Sequence, residues 1–208
     1  MIAIIDYNAG NIASVARALH VIGQEYVVTD DTSVLTAASC VIFPGVGAAG
    51  EAMAYLRHKK LDSWLLGCLS SGKPLLGICL GTQIILDASE ENDTQCIGLV
   101  GGTTRRFPEN LVADGRRLKI PHMGWNRVAL RRPHPVFAGV PAEAEFYFVH
   151  SYYPSPGDDK AVLATTEYGI TFCSALAVNN LVAVQFHPEK SGRPGLQILK
   201  NFCGWRGR

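Results

Sequence analysis

An α/β architecture is the fold class this sequence predicts: a mostly parallel sheet with helices on both faces and added antiparallel strands. Two patterns predict it. In the first half, short aliphatic and β-branched runs alternate with segments whose apolar residues recur at helical spacing. In the second, short segments of alternating hydrophobicity follow one another and imply antiparallel additions. A third observation sets the scale. The 208 residues, 48% hydrophobic and 18% charged, describe a single unit over 1–208, which can bury roughly 70% of its unfolded surface.

The elements follow in order. Ile2 to Ile5, Cys40 to Phe43 and Leu75 to Ile78 read as strands buried on both faces, because each is a continuous apolar run ended by a turn-forming residue. Ile12 to Ile22 and Asp62 to Ser71 carry apolar residues at helical spacing. Later, Gly101 to Phe107, Phe146 to His150, Ala161 to Thr166, Thr171 to Val178 and Leu181 to Phe186 read as strands, and Gly195 to Phe202 as a final helix. The proline-rich stretches Pro133 to Pro141 and Pro154 to Pro156 read as surface loops. No internal repeat or low-complexity linker marks a second domain.

The charge balance, 19 Lys and Arg against 18 Asp and Glu, argues against nucleic acid or an anionic membrane as the main partner. Asp6, Asn8, Lys73 and Gln83 interrupt the longest apolar stretches short of the roughly 20 residues a membrane helix needs. Met1 to Asp6 lacks a basic segment and a small-residue cleavage site, so it reads as a strand rather than a signal peptide, and a reducing, cytoplasmic location is expected. The six cysteines (40, 68, 79, 96, 173 and 203) include no C-x-x-C pair, which points to neither a disulfide framework nor a metal site. A small-molecule enzyme or a binding domain remains.

One cysteine stands apart. Gly77-Ile-Cys79-Leu-Gly81 sets it between two glycines where a predicted strand gives way to a helix, the thiol form of a nucleophile elbow. That turn is strained and crowded, so it requires residues without a Cβ nearby. The following helix aims free N–H groups at the sulfur, favouring a thiolate and offering the Leu80 N–H to an oxyanion. A structural cysteine at a glycine-flanked strand end is the competing reading.

A thiolate nucleophile needs a base, and the base needs an orienting group. His187-Pro188-Glu189 supplies both at the end of a predicted strand, although such a string is by itself usually an ordinary turn. Its weight comes from combination with the elbow, since catalytic groups of parallel α/β sheets gather at strand carboxyl ends. Pro44-Gly45-Val46-Gly47-Ala-Ala-Gly50 formally matches G-x-G-x-x-G, which keeps a dinucleotide site open. No acidic residue follows at the ribose-binding distance, so a flexible loop completing an oxyanion hole fits better.

Taken together, Pro44-Gly-Val-Gly47, Gly77-Ile-Cys-Leu-Gly-Thr-Gln83 and Gln185-Phe-His-Pro-Glu189 resemble the class I, triad-type glutamine amidotransferases, whose fold is flavodoxin-like. Five further strings resemble one subgroup, the glutaminase subunits of imidazole glycerol phosphate synthases. They are Ile5-Asp-Tyr-Asn-Ala-Gly-Asn11, Pro121-His-Met-Gly-Trp-Asn126, Tyr147-Phe-Val-His-Ser-Tyr152, His187-Pro-Glu-Lys-Ser191 and Gly195-Leu-Gln-Ile-Leu-Lys-Asn201. The resemblance implies Cys79 as nucleophile, His187 as acid and base, Glu189 as its carboxylate, and Val46 and Leu80 as oxyanion donors. It further implies L-glutamine bound by Gly47, Gln83, Glu91, His150 and Ser151, and no cofactor or metal. Two departures stand out: Thr82 in place of a usual methionine, and a short Cys96 to Gly102 segment that leaves the pocket rim open.

Asn11, Trp125, Tyr147 and Lys190 are expected to face a (β/α)₈ barrel cyclase partner, with Gly124, Asn126, Tyr152 and His122 nearby, whereas core aromatics are the plainer alternative. His20, His58 and His134 read as surface or structural residues. The other five cysteines carry no assigned chemistry. Competing functions are another triad amidotransferase subunit, a stand-alone γ-glutamyl hydrolase and a catalytically silent regulatory module.

Overall fold

The computed structural model describes residues 1–7, 10–113 and 115–207. In chain order the first half runs β1 (Ile2–Ile5), α1 (Ile12–Val21), β2 (Tyr26–Thr29), α2 (Thr32–Ala37), β3 (Cys40–Phe43), α3 (Ala49–His58), α4 (Leu61–Ser70), β4 (Leu75–Ile78) and α5 (Leu80–Ile84). The second half adds β5 (Ala88–Ser89), β6 (Thr94–Gln95), β7 (Gly102–Arg106), β8 (Val112–Ala113), β9 (Arg116–Arg117), β10 (His122–Arg127) and β11 (Ala129–Leu130). It ends with β12 (Glu145–His150), β13 (Tyr152–Pro156), β14 (Val162–Glu167), β15 (Thr171–Val178), β16 (Leu181–Val184) and α6 (Gly192–Gly204).

Eight strands form the main sheet in the order β11-β14-β15-β16-β4-β3-β1-β2. The run from β2 to β16 is parallel, and β15, β14 and β11 extend it antiparallel. Strand alternation explains the continuous apolar runs. Ile2 and Ile4 of β1 pack with Val15 and Leu19 of α1 and with Ile198 and Phe202 of α6 on one face. Ala3 and Ile5 pack with Leu35, Met53, Leu56 and Leu65 of α2 to α4 on the other. Full burial of each such Ile or Leu contributes roughly 1.5–3 kcal/mol.

Local chemistry sets the ends of several elements. Gly23, at φ 71°, terminates α1 and lets the Gly23 and Gln24 N–H groups bond back to His20 and Leu19 carbonyls. Asp31 caps α2 through the Ser33 N–H at 2.8 Å. The final helix begins earlier than periodicity implies, at Gly192, because Pro194 is tolerated in a first turn. The Pro154 to Pro156 reading needs correction: these residues lie in β13, paired with β7, rather than in a loop. Strand β13 is the edge of the small sheet β13-β7-β5-β6, where the missing proline N–H breaks no ladder. Pro133 to Pro141 does hold irregular chain, but its short turn Pro135–Phe137 buries Val136 and Phe137 in the core.

The strand order has one consequence for chemistry. It makes β3, β4 and β16 neighbours, so the segments leaving their carboxyl ends, Pro44 to Gly47, Cys79 and Gln185 to Glu189, converge.

Candidate active site

Cys79 sits between β4 and α5 with φ 53° and ψ −107°, a sparsely populated backbone conformation for a non-glycine residue. The two glycines around it are obligatory for packing. A Cβ on Gly81 would lie 2.0 Å from the Phe43 carbonyl oxygen, and one on Gly77 would lie 2.9 Å from Cβ of Ala183. The Cys79 N–H donates to the Val184 carbonyl at 2.9 Å, and the Thr82 hydroxyl donates to the same oxygen at 2.7 Å. Thr82 therefore pins the elbow to the strand that leads to His187. The Cys96 to Gly102 segment folds back on Ile84 to Asp87 and supplies no wall of the cavity described below.

His187 and Glu189 are wholly buried, with Nδ1 and Oε1 2.8 Å apart. Nε2 of the ring, buried without a hydrogen-bond partner among the described residues, lies beside Cys79. Burial opposes charge on the ring, but the interactions with Cys79 and then with Glu189 outweigh it and raise the His187 pKa to about 10. Backbone and side chain fix the position further: the His187 N–H donates to the Tyr147 carbonyl at 2.9 Å, and the Ser191 hydroxyl donates to the His187 carbonyl at 2.6 Å. Glu189 Oε1 also accepts from Nδ2 of Asn11 at 3.2 Å.

A cavity of about 330 Å³ opens over the thiol, at the small end of ligand sites. All five expected pocket residues, Gly47, Gln83, Glu91, His150 and Ser151, line it together with Cys79, Val46 and Leu80. Pro121, Val149 and Tyr152 complete the wall; the first two were not singled out from sequence, and Tyr152 was expected at the partner face. The Glu91 carboxylate is held by the Ala49 N–H at the start of α3, at 2.7 Å.

The two expected oxyanion donors are not both presented. The Leu80 N–H donates to the Gly45 carbonyl at 3.2 Å. A trans peptide places the next N–H, that of Val46, on the side opposite that carbonyl. Gly45 O thus occupies the donor an oxyanion would use, and Val46 N–H points elsewhere. Gly47, at φ 104°, supplies the backbone freedom this loop needs.

A hydrogen-bonded chain runs from strand β10 to the sulfur. His150 Nδ1 lies 2.7 Å from the Tyr152 carbonyl, so Nδ1 carries the proton and Nε2 accepts. His122 Nδ1, 3.0 Å away, must then be the donor, leaving His122 Nε2 to accept from Asn126 Nδ2 at 3.3 Å. The Tyr152 carbonyl also accepts from Gln83 Nε2 at 2.9 Å, which contacts Gln185 Oε1 at 3.1 Å. Gln185 Nε2 reaches Sγ of Cys79 at 3.6 Å. Sequence reasoning quoted Gln185 only as part of a string, because nothing in its spacing reveals that its amide meets the thiol.

Burial lowers the pKa of His150 to about 3 and of His122 to about 4, so both rings are neutral. The unfolded chain takes up those protons near pH 6.5 and the folded chain does not. Stability is therefore full above pH 6.5 and lost as pH falls towards 4 and 3, by roughly 2 kcal/mol for each ring at pH 5. His187 works oppositely: its contribution is complete below pH 6.5 and lost only as pH rises towards 10. Denaturant midpoints at pH 7 and pH 5 check this, and His122→Gln should flatten the decline.

On the surface, Trp125 is exposed, its ring centroid 6.1 Å from that of Tyr147, and the Lys190 ammonium lies 5.9 Å from the Tyr147 centroid. Three expectations for this face are corrected. Asn11 is buried and braces Glu189, because its amide, just before α1, turns inward onto the same carboxylate oxygen that meets His187 Nδ1. His122 is likewise buried, stacked between Phe148 and Tyr168. Tyr152 lines the cavity instead. Asn8 and Ala9 of the Ile5 to Asn11 string lie outside the described residues. His20 and His58 are exposed, and the five remaining cysteines are free thiols, buried except for the half-buried Cys203.

Comparison with known proteins places this arrangement. Residues 3–204 match the glutamine amidotransferase class-I family. The imidazole glycerol phosphate synthase subunit HisH of Nitratidesulfovibrio vulgaris is 53% identical over 203 residues, covering 97% of this chain and 95% of that one. The HisH subunit of Methylococcus capsulatus is 50% identical over 209 residues, covering 98% and 96%. A chain of PurLQS from Thermotoga maritima shares the fold at 17% identity, with a TM-score of 0.73 over 98% of this chain and 97% of its own. The chain belongs to the class-I glutamine amidotransferases and, within them, to the HisH subunits of imidazole glycerol phosphate synthase.

Proposed function

We propose that this single unit, residues 1–208, hydrolyses the side-chain amide of L-glutamine through a Cys79 thioester and hands the ammonia to a (β/α)₈ barrel cyclase. The cyclase then forms imidazole glycerol phosphate and an aminoimidazole carboxamide ribotide in histidine biosynthesis. The observation that carries the reading is one small cavity in which the elbow thiol meets five polar and backbone groups suited to an amino acid, with the His187–Glu189 pair buried behind it. Cys79 attacks the amide carbon, and backbone N–H groups of Leu80 and Val46 hold the oxyanion. His187, cationic beside the sulfur, protonates the departing ammonia. The neutral ring then takes a proton from the water that attacks the γ-glutamyl thioester. Glu189, itself braced by Asn11, fixes the ring's Nδ1 proton.

Trp125, Tyr147 and Lys190 form the face we assign to the cyclase, because exposed aromatics beside a cation suit an interface core. No helix among the described residues is long and apolar enough to cross a membrane; we place the enzyme in the cytoplasm, where the Cys79 thiol stays reduced. The test is reconstitution. Glutamine with this chain and the cyclase should yield imidazole glycerol phosphate, and a chain that instead serves only a chorismate- or xanthylate-using synthase would overturn the reading.

Glu189→Gln is expected to lower kcat in that complex by roughly 10²–10⁴, with KM little changed, since the carboxylate matters most when the ring is charged. Steady-state kinetics decide; an unchanged kcat would reduce Glu189 to a turn residue.

A further inference from the structure

The Tyr7 hydroxyl is buried and has no hydrogen-bond partner among the described residues. A buried donor without an acceptor is disfavoured, so such a group calls for an explanation. Its surroundings supply one. Tyr7 follows β1 and packs on Phe43, the ring centroids 5.3 Å apart. Its oxygen lies only 1.9 Å from where a Cβ on Gly45 would stand. The orphan hydroxyl is therefore set against the residue whose carbonyl now accepts from Leu80.

When the Gly45–Val46 peptide turns over to present Val46 N–H beside Leu80 N–H, the Gly45 carbonyl leaves Leu80. Gly45 is buried, so that oxygen needs a new donor. We propose that Tyr7 is the latch of this switch: its hydroxyl captures the Gly45 carbonyl in the turned-over state and so holds the oxyanion hole open for the substrate. The hydroxyl is idle in the resting state because its acceptor is elsewhere. The inference rests on the glutaminase reading above and names a positioning residue for it, one that touches neither substrate nor sulfur in the proposed chemistry. Burial and the nearby Cys79 charge raise the Tyr7 pKa, so the group remains a donor. Phenylalanine at this position keeps the ring and its packing and removes only the latch.

The test compares wild type and Tyr7→Phe, each with the cyclase subunit and its ribulosyl substrate. The latch predicts that stimulated kcat falls about tenfold in the variant, the worth of one buried donor gaining its acceptor in only one of two states, with KM for glutamine little moved. It also predicts that the melting temperature of the isolated variant holds or rises, because the resting chain loses an unsatisfied hydroxyl. Activity falling while stability does not is the signature a packing role would not give. Stimulation of Tyr7→Phe equal to wild type overturns the latch alone, as does a loss of kcat that tracks a lowered melting temperature. Absence of stimulation in wild type overturns the underlying reading as well.

Discussion

Cys79→Ser is expected to reduce glutamine-dependent synthesis by the cyclase complex by about 10⁴ or more, while synthesis fed directly with ammonium salts proceeds at the wild-type rate. The magnitude follows from removing the nucleophile of a unit whose parts act together, which in a comparable hydrolytic triad costs about 10⁶ in kcat. Serine fits the elbow sterically, since the strained backbone at φ 53° and the glycines at 77 and 81 are set by neighbours rather than by the sulfur. What serine lacks is the ready anion. Burial opposes charge on His187, and the interactions with Cys79 and with Glu189 raise its pKa; a serine hydroxyl removes the first of these partners. Gln185, which points its amide at Sγ from 3.6 Å, would face a shorter and uncharged group. Comparing glutamine-fed and ammonia-fed rates in one preparation separates lost chemistry from lost folding. Retained glutaminase activity would dismiss the elbow assignment, and so would a glutamine-analogue alkylator that labels any of the other five cysteines.

How much of this was legible depended on whether a residue's role follows from its neighbours in sequence. Strands β1, β3 and β4 match their expected bounds, because burial on both faces demands uninterrupted apolar runs. Strand β2 was not, since Tyr26–Thr29 lies at the sheet edge with half its surface open and carries no such run. The elbow and the His-Pro-Glu turn are local motifs, and the sheet order β16-β4-β3 brings them together as parallel α/β topology requires. Contacts between distant segments were illegible. Asn11 meets Glu189 across 178 residues and Gln185 meets Cys79 across 106, so only folding discloses them. The strings around His122 and His150 identified the subgroup, but the reason for their composition is the pairing His122 with His150 in register on β10 and β12. That pairing fixes both tautomers.

The isolated chain is expected to be a poor glutaminase, and docking of the ligand-loaded cyclase should raise kcat by at least about 10²–10³, the usual effect of one oxyanion donor. The resting geometry gives the reason. With Gly45 O seated on the Leu80 N–H, a tetrahedral oxyanion finds one donor occupied and the Val46 donor turned away. Moving such a two-state peptide from 1% to 99% occupancy of the active form requires about 10⁴-fold tighter partner binding to that form, which a protein interface can supply. The face assigned to the partner is mechanically close to the site. Tyr147, beneath Lys190, accepts the His187 N–H through its carbonyl and donates its own N–H to the Ser191 hydroxyl oxygen. Trp125 and Tyr147 face each other on β10 and β12, the strands that also pair His122 with His150 at the cavity wall. Steady-state assays with and without the loaded cyclase measure the ratio. Trp125→Ala should shrink it without changing the resting rate, Lys190→Ala with full stimulation would remove that lysine from the interface, and equal kcat in the free and docked wild-type chain would abolish the switch.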